Sequence, residues 1–261
     1  MSFDEALQLV PVFVLTLVRV AAMMLYAPVL GSGRVPRRVK GMLAAVLALG
    51  MTPGVPRPAQ LPETAWGAAV GIGGEIVFGL AMGMAMSAAF VAAQWAGEMI
   101  GQQMGLTLGE VFDPQYGSHG SVVGDMYFML ALVVFLTIGG HLQMVRGLQE
   151  SFRHLPILAV GMNRDLFDLI VGLVGASATL AFRLAAPVLV TMLVVDLALG
   201  LIGKAMPQFN VMAAGMTLRS IVGTIVIVVG IGLTTGVMSE ALNGSLGFIR
   251  DAWRGMVPAG R

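Results

Sequence analysis

Apolar residues along the chain fall into six blocks, at 7–30, 39–51, 65–96, 122–140, 166–202 and 221–242, with glycine, proline and charge concentrated between them. None of the blocks alternates with a period of two. Each therefore predicts a helix, because backbone groups in an apolar medium must be hydrogen-bonded within their own segment. A helix rises 1.5 Å per residue and needs about 20 residues to cross a hydrocarbon layer of about 30 Å. The 13 residues of block 39–51 reach only about 20 Å. They run into Thr52-Pro53-Gly54-Val55-Pro56-Arg57-Pro58, where three prolines forbid continuation. This block predicts a half-span or one arm of a hairpin enclosed by protein. Blocks 65–96 and 166–202 are too long for one simple crossing. In the latter, Pro187 lacks the N–H that would bond the carbonyl of Arg183, so a kink or break is expected there.

Composition supports the lipid reading. Of 261 residues, 57% are hydrophobic and 11% charged, against about 25% charged in soluble domains. The net charge of +1 leaves no basic footprint for nucleic acid. Cysteine is absent, which removes disulfides, thiol nucleophiles and iron–sulfur ligation. His119, His141 and His154 share no metal-ligand spacing, and no cofactor is expected. Thirty-five glycines and 20 methionines, set against 7% aromatic residues, favour close helix contacts and adaptable apolar surfaces. The acidic start, Asp4-Glu5, is unlike a secretory signal, so the first block is expected to be retained as structure. No repeat or low-complexity tract interrupts the chain, and residues 1–261 predict a single all-α helical membrane domain without a soluble one.

With six crossings, the basic residues of alternate loops would set the orientation. Loops 1–6, 53–65, 141–165 and 242–261 hold seven, and loops 34–40, 97–120 and 204–219 hold six. The bias that normally sets topology is missing, which argues against six conventional spans.

Four charges lie inside the apolar blocks: Arg19, Glu75, Arg183 and Asp196. Each costs about 2.5–3.5 kcal/mol in lipid unless paired or hydrated. They predict either an ion pathway or, more simply, structural pairing and cavity walls. Glu75 follows Gly71-Ile72-Gly73-Gly74, whose small residues permit close backbone approach. Gly97, Gly101, Gly105 and Gly109 recur every fourth residue. Such a stripe serves close helix packing, but each glycine also costs a helix about 1 kcal/mol relative to alanine, so unwinding is cheap. Leu106 and Leu108 lie among these glycines, and the continuation from Glu110 to Gly120, which includes Val111, Phe112, Asp113 and Pro114, is turn-rich. Helix packing and a flexible apolar loop between buried helices fit this spacing equally. The basic cluster Arg34, Arg37, Arg38 and Lys40 fits a lipid-headgroup anchor or a partner-binding loop. No GxSxG, GxGxxG or Walker spacing occurs, so catalysis has no support.

Read together, these blocks resemble the FliR family of flagellar export-apparatus proteins, whose virulence-system relatives are the SctT proteins. Arg19 with Ala27-Pro28-Val29-Leu30 and Val35-Pro36-Arg37-Arg38-Val39-Lys40 is similar to the family's first signature. Ala96-Gly97-Glu98-Met99-Ile100-Gly101-Gln102-Gln103-Met104-Gly105, ending in Asp113-Pro114, is similar to its central one. Gly140-His141-Leu142, Ser151-Phe152 and Leu155-Pro156 resemble the next block, and Leu197-Ala198-Leu199-Gly200-Leu201-Ile202 with Pro207-Gln208-Phe209-Asn210-Val211 the last. One departure is Thr217, where the family usually has proline.

The resemblance implies a non-enzymatic subunit of a hetero-oligomeric export gate in the bacterial inner membrane, at the flagellar basal body. It implies helical hairpins packed subunit to subunit. The partners it implies are P-type and Q-type gate subunits, other export-apparatus membrane proteins, unfolded flagellar substrates and the lipid membrane. It further implies a pore plug built on Gly101, Met104, Gly105, Leu106, Leu108, Val111, Phe112, Asp113 and Pro114. The competing reading is a secondary transporter or channel with Arg19, Glu75, Arg183 and Asp196 along its pathway.

Overall fold

The computed structural model describes residues 3–28, 31, 35–58, 62, 64–106, 121–158, 164–206, 208 and 210–256. All regular structure among them is helical: α1 (Phe3–Tyr26), α2 (Arg37–Met51), a single 3-10 turn (Thr52–Gly54), α3 (Ala65–Gln103), α4 (Val122–Thr137), α5 (Gly140–His154), α6 (Arg164–Ala205) and α7 (Val211–Met256). Four segments are long and apolar enough to cross a membrane, namely Leu9–Tyr26, Ala65–Gln103, Phe167–Ala205 and Ala214–Ser245. The expectation of an all-α membrane protein holds.

Three sequence expectations change. Helix α6 is continuous through Pro187, so of the kink or break expected there the break does not occur. Residues 141–165, treated as a loop in the orientation count, contain the whole of α5 after its first residue. Similarly, α7 begins inside the supposed loop 204–219. Helix α5 escaped notice because its apolar positions follow a helical period within a polar segment. Met144, Leu148, Ser151 and Phe152 are buried, while the rest of Gly140–His154 is too polar to register as a span. Its start is set by Gly139, whose φ of 68° lies in the left-handed region that glycine enters without penalty.

The contacts divide into two compact units: Met1–Ala88, Gly139–Gly175 and Leu242–Arg261 form the first, and Ala89–Ile138 and Ala176–Ala241 the second. In the first, Met23 and Met24 of α1, Ala44 and Ala48 of α2, Phe78 and Met82 of α3, and Leu148 and Phe152 of α5 gather in one apolar cluster. Helix α2 packs on α1, and so does the turn that ends it. As expected, α2 stops at its proline-rich border, where Thr52 Oγ1 donates to the carbonyl of Ala48 at 2.7 Å.

In the second unit the Phe90 ring lies 5.7 Å from that of Phe128 and 5.4 Å, edge-on, from that of Phe135. Most of the apolar span of α3 is enclosed, whereas the spans of α6 and α7 are largely exposed. Side chains such as Val190, Leu193, Leu197, Val228, Val229 and Leu233 therefore need a covering of lipid or other protein.

Candidate functional site

Glycine spacing on α3 determines how closely α1 can approach it. A Cβ on Gly79 would stand 2.5 Å from the carbonyl oxygen of Arg19 and 2.8 Å from Ala22 Cβ, and one on Gly83 would collide with the carbonyl oxygen of Met23. Gly79-x-x-x-Gly83 is thus the small-xxx-small contact of the first unit. The sequence reading looked to Gly71–Gly74 for this role, but Gly73 faces open space and Gly71 instead receives the side chain of Leu158.

This close approach places Arg19 beside Glu75, both with fully buried side chains. Arg19 Nε donates to Glu75 Oε2 at 2.5 Å and Nη2 to Oε1 at 3.0 Å, a two-point guanidinium–carboxylate pair. Nη1 donates to Ser151 Oγ at 3.3 Å, on α5, and to the carbonyl of Leu155 at 3.1 Å, just beyond it. Glu75 Oε1 also accepts the backbone N–H of Leu158 at 2.9 Å. The guanidinium carbon lies 4.8 Å from the ring centroid of Phe78 and 4.5 Å from that of Phe152, and these faces favour a desolvated cation.

Four of the five N–H donors of arginine are used, and the hydrogen bonds described here involve no third titratable group. Two charges paired and hydrogen-bonded in this way can clamp α1, α3 and the segment after α5 together, an arrangement compatible with the simpler sequence reading of structural pairing. It holds the segment after α5 from two sides, at the Leu155 carbonyl and the Leu158 N–H. Between them the chain turns enough that Leu158 adopts φ 70°, uncommon for a residue with a Cβ.

The other two charges in apolar blocks are in the second unit. Asp196 Oδ1 meets Arg219 Nη2 at 2.7 Å, with both side chains about one-third exposed. Arg183 is exposed and joins neither described ion pair. The sequence reading did not foresee Arg219 as a partner, because it placed that residue in a loop.

The glycine stripe also lies in the second unit. A Cβ on Gly97 would sit 2.5 Å from the carbonyl oxygen of Val123 and 2.6 Å from Gly124 Cα, and one on Gly101 would run into Ser121 Oγ. These two positions therefore pack the end of α3 on the start of α4. Gly105 acts differently. With φ 76° it ends the helix, its N–H bonding the Gln102 carbonyl and that of Leu106 the Gly101 carbonyl, both at 3.0 Å. This is the left-handed glycine cap that satisfies the last helical carbonyls.

Met104 is buried, its side chain filling the space a Cβ on Gly223 would need. Its carbonyl accepts from Ser220 Oγ at 3.2 Å. Leu106 is exposed. Leu108, Val111, Phe112, Asp113 and Pro114 lie outside the described residues, as does Arg34 of the basic cluster. Arg37 and Arg38 are exposed on the first turn of α2, and Lys40 is half-buried there.

The family described as "Bacterial export proteins, family 1" matches residues 10–245. The flagellar biosynthetic protein FliR of Bacillus subtilis (strain 168) is 28% identical over 229 residues, 87% of this chain and 88% of that protein. FliR of Escherichia coli (strain K12) is 33% identical over 210 residues, 79% of each. The surface presentation of antigens protein SpaR of Shigella flexneri is 26% identical over 121 residues, 46% of each.

Proposed function

The chain belongs to the FliR family of bacterial export proteins, and from that membership we propose that it is a non-enzymatic core subunit of the flagellar type III export gate. In this reading it sits in the inner membrane at the flagellar basal body. With P-type and Q-type subunits it forms the channel through which unfolded flagellar proteins leave the cell. The observation that carries the proposal is the extent of the match: the FliR proteins of Bacillus subtilis and Escherichia coli align with this chain over 88% and 79% of their own lengths, and the family model spans residues 10–245.

The physical chemistry supports membership of an assembly. The long exposed apolar faces of α6 and α7 suit a subunit that packs sideways on other helices. Helices α3, α6 and α7 each supply residues to both compact units, which favours one continuous helical domain. For the plug, the cap at Gly105 supports a reading in which α3 is a fixed post and the chain beyond Leu106 is the closing element. Apolar side chains such as Leu108, Val111 and Phe112 would then exclude water and ions at a constriction.

Co-expression with and without the P-type and Q-type subunits, followed by size-exclusion chromatography in detergent, tests the assembly. The expected result is a mixed complex with both partners and aggregation without them. A monodisperse, stable monomer purified alone would overturn it. Deleting residues 107–114, which leaves the helix cap intact, tests the plug within the assembled complex. A membrane leaky to small solutes is expected, and unchanged permeability would place the closure elsewhere.

A further inference from the structure

Helix α2 presents two unlike surfaces. Ala44, Ala48 and Met51 are buried, while Val39, Met42, Val46 and Leu49 point outward, the last three 70%, 65% and 66% exposed. At about 100° per residue these four fall within about 40° of one line down the helix, opposite the buried face. The outward line is wholly apolar, and its upper end is cationic. Arg38 lies about 60° from that line on the first turn, whereas Arg37 lies about 160° from it, on the opposite side of the helix.

Helix α2 contains no carboxylate, and neither arginine is in an ion pair among the described residues. The first-turn N–H groups have no side-chain cap, which leaves further donors at the same end.

The dimensions identify an occupant. From Val39 to Leu49 the stripe rises about 15 Å, half of the roughly 30 Å hydrocarbon layer. A surface one monolayer deep, cationic at one end and apolar along the rest, matches a phospholipid: phosphate at the top, acyl chain below. We propose that α2 binds an anionic phospholipid, its phosphate on Arg38 and one acyl chain along Val39, Met42, Val46 and Leu49. The inference depends on the chain being in a membrane and not on the identity of its partner subunits.

The test uses the full chain in its assembled complex, with a photocrosslinking amino acid in place of Met42 and a second, separate variant labelled at Val229 on the exposed face of α7. The complexes are reconstituted in nanodiscs of equal dioleoylphosphatidylglycerol and dioleoylphosphatidylcholine, irradiated, and the adducts identified by mass spectrometry. Position 42 should yield phospholipid adducts enriched in the anionic lipid. Arg38→Gln should lower that enrichment about fivefold, the effect of one basic residue near an anionic surface, and Arg37→Gln by less. If Arg38→Gln fails to assemble, Arg38→Lys should keep the enrichment and Arg38→Met introduced after assembly, by subunit exchange, should lose it. A protein adduct at position 42, or an anionic preference that Arg38→Gln leaves unchanged, overturns the proposal. Lipid adducts at position 229 alongside a protein adduct at 42 overturn this site while leaving membrane insertion and the export reading intact.

Discussion

Glu75→Leu strips the first unit of its buried anion and leaves Arg19 charged, enclosed and without its carboxylate. Two charge-assisted hydrogen bonds disappear, from Nε and Nη2, and the Leu158 N–H loses its acceptor. At about 1.5–3 kcal/mol for each hydrogen bond to a charged group, the two guanidinium bonds alone represent about 3–6 kcal/mol. That agrees with the 3–5 kcal/mol typical of breaking a buried pair from one side. The double change Arg19→Met with Glu75→Leu removes both charges, keeps similar volume, and should recover most of the loss, because burying the pair costs nearly as much as their attraction returns. Thermal unfolding of the purified complex in one detergent, at fixed protein concentration, is the assay. For a chain of this size about 2–4 °C accompanies each kcal/mol, so the single variant should melt about 6–20 °C lower and the double variant within a few degrees of the parent. A double variant as unstable as the single one would show that the cost arises from packing or from Leu158, and the clamp reasoning would be wrong. A single variant melting with the parent would refute it outright.

Gly97→Ala should be among the most damaging glycine changes, costing more than the roughly 1–3 kcal/mol typical of overpacking, because the added methyl meets the backbone of Val123 and Gly124; yield of folded complex on size exclusion is the readout. Gly105→Ala should cost about 1 kcal/mol through the strained left-handed cap, seen as faster hydrogen exchange over residues 101–106 with the rest of the chain unchanged. Asp196→Asn should change the melting temperature by less than about 4 °C, since its pair with Arg219 is partly exposed and such pairs contribute about 0–1 kcal/mol; loss of only an ion-dependent export step with normal complex yield would instead favour the ion-pathway reading.

The long helices were legible because their apolar runs exceed anything a soluble strand or loop requires, and the short α2 because its length and prolines are explicit. Helix α5 was hidden by its polarity: its buried line, which includes Met144, Leu148, Ser151 and Phe152, is interleaved with the polar and charged residues of Gly140–His154. Arg19 and Glu75 could each be recognised as costly, yet 56 residues of separation conceal their partnership, and nothing local points to the Leu155 carbonyl or the Leu158 N–H. The Gly79-x-x-x-Gly83 spacing is visible in the sequence, but its use depends on which helix lies opposite, which no local signal gives. The period-four stripe was read as one feature, whereas its members divide by backbone geometry: Gly97 and Gly101 lie inside a helix, and Gly105 ends it. Sequence spacing cannot distinguish those roles, because a cap differs from a packing position only in φ.

The buried clamp also sets an order of events during synthesis. Arg19 is made 56 residues before Glu75 and 136 before Leu155. At about 5–20 residues per second, it waits roughly 3–11 s for its carboxylate and about 7–27 s for the carbonyl. Throughout that interval a guanidinium in lipid would cost about 2.5–3.5 kcal/mol, with none of the partners that later offset it yet made. The polar contacts of α1 are thus completed only after α3 and the segment following α5 have been made.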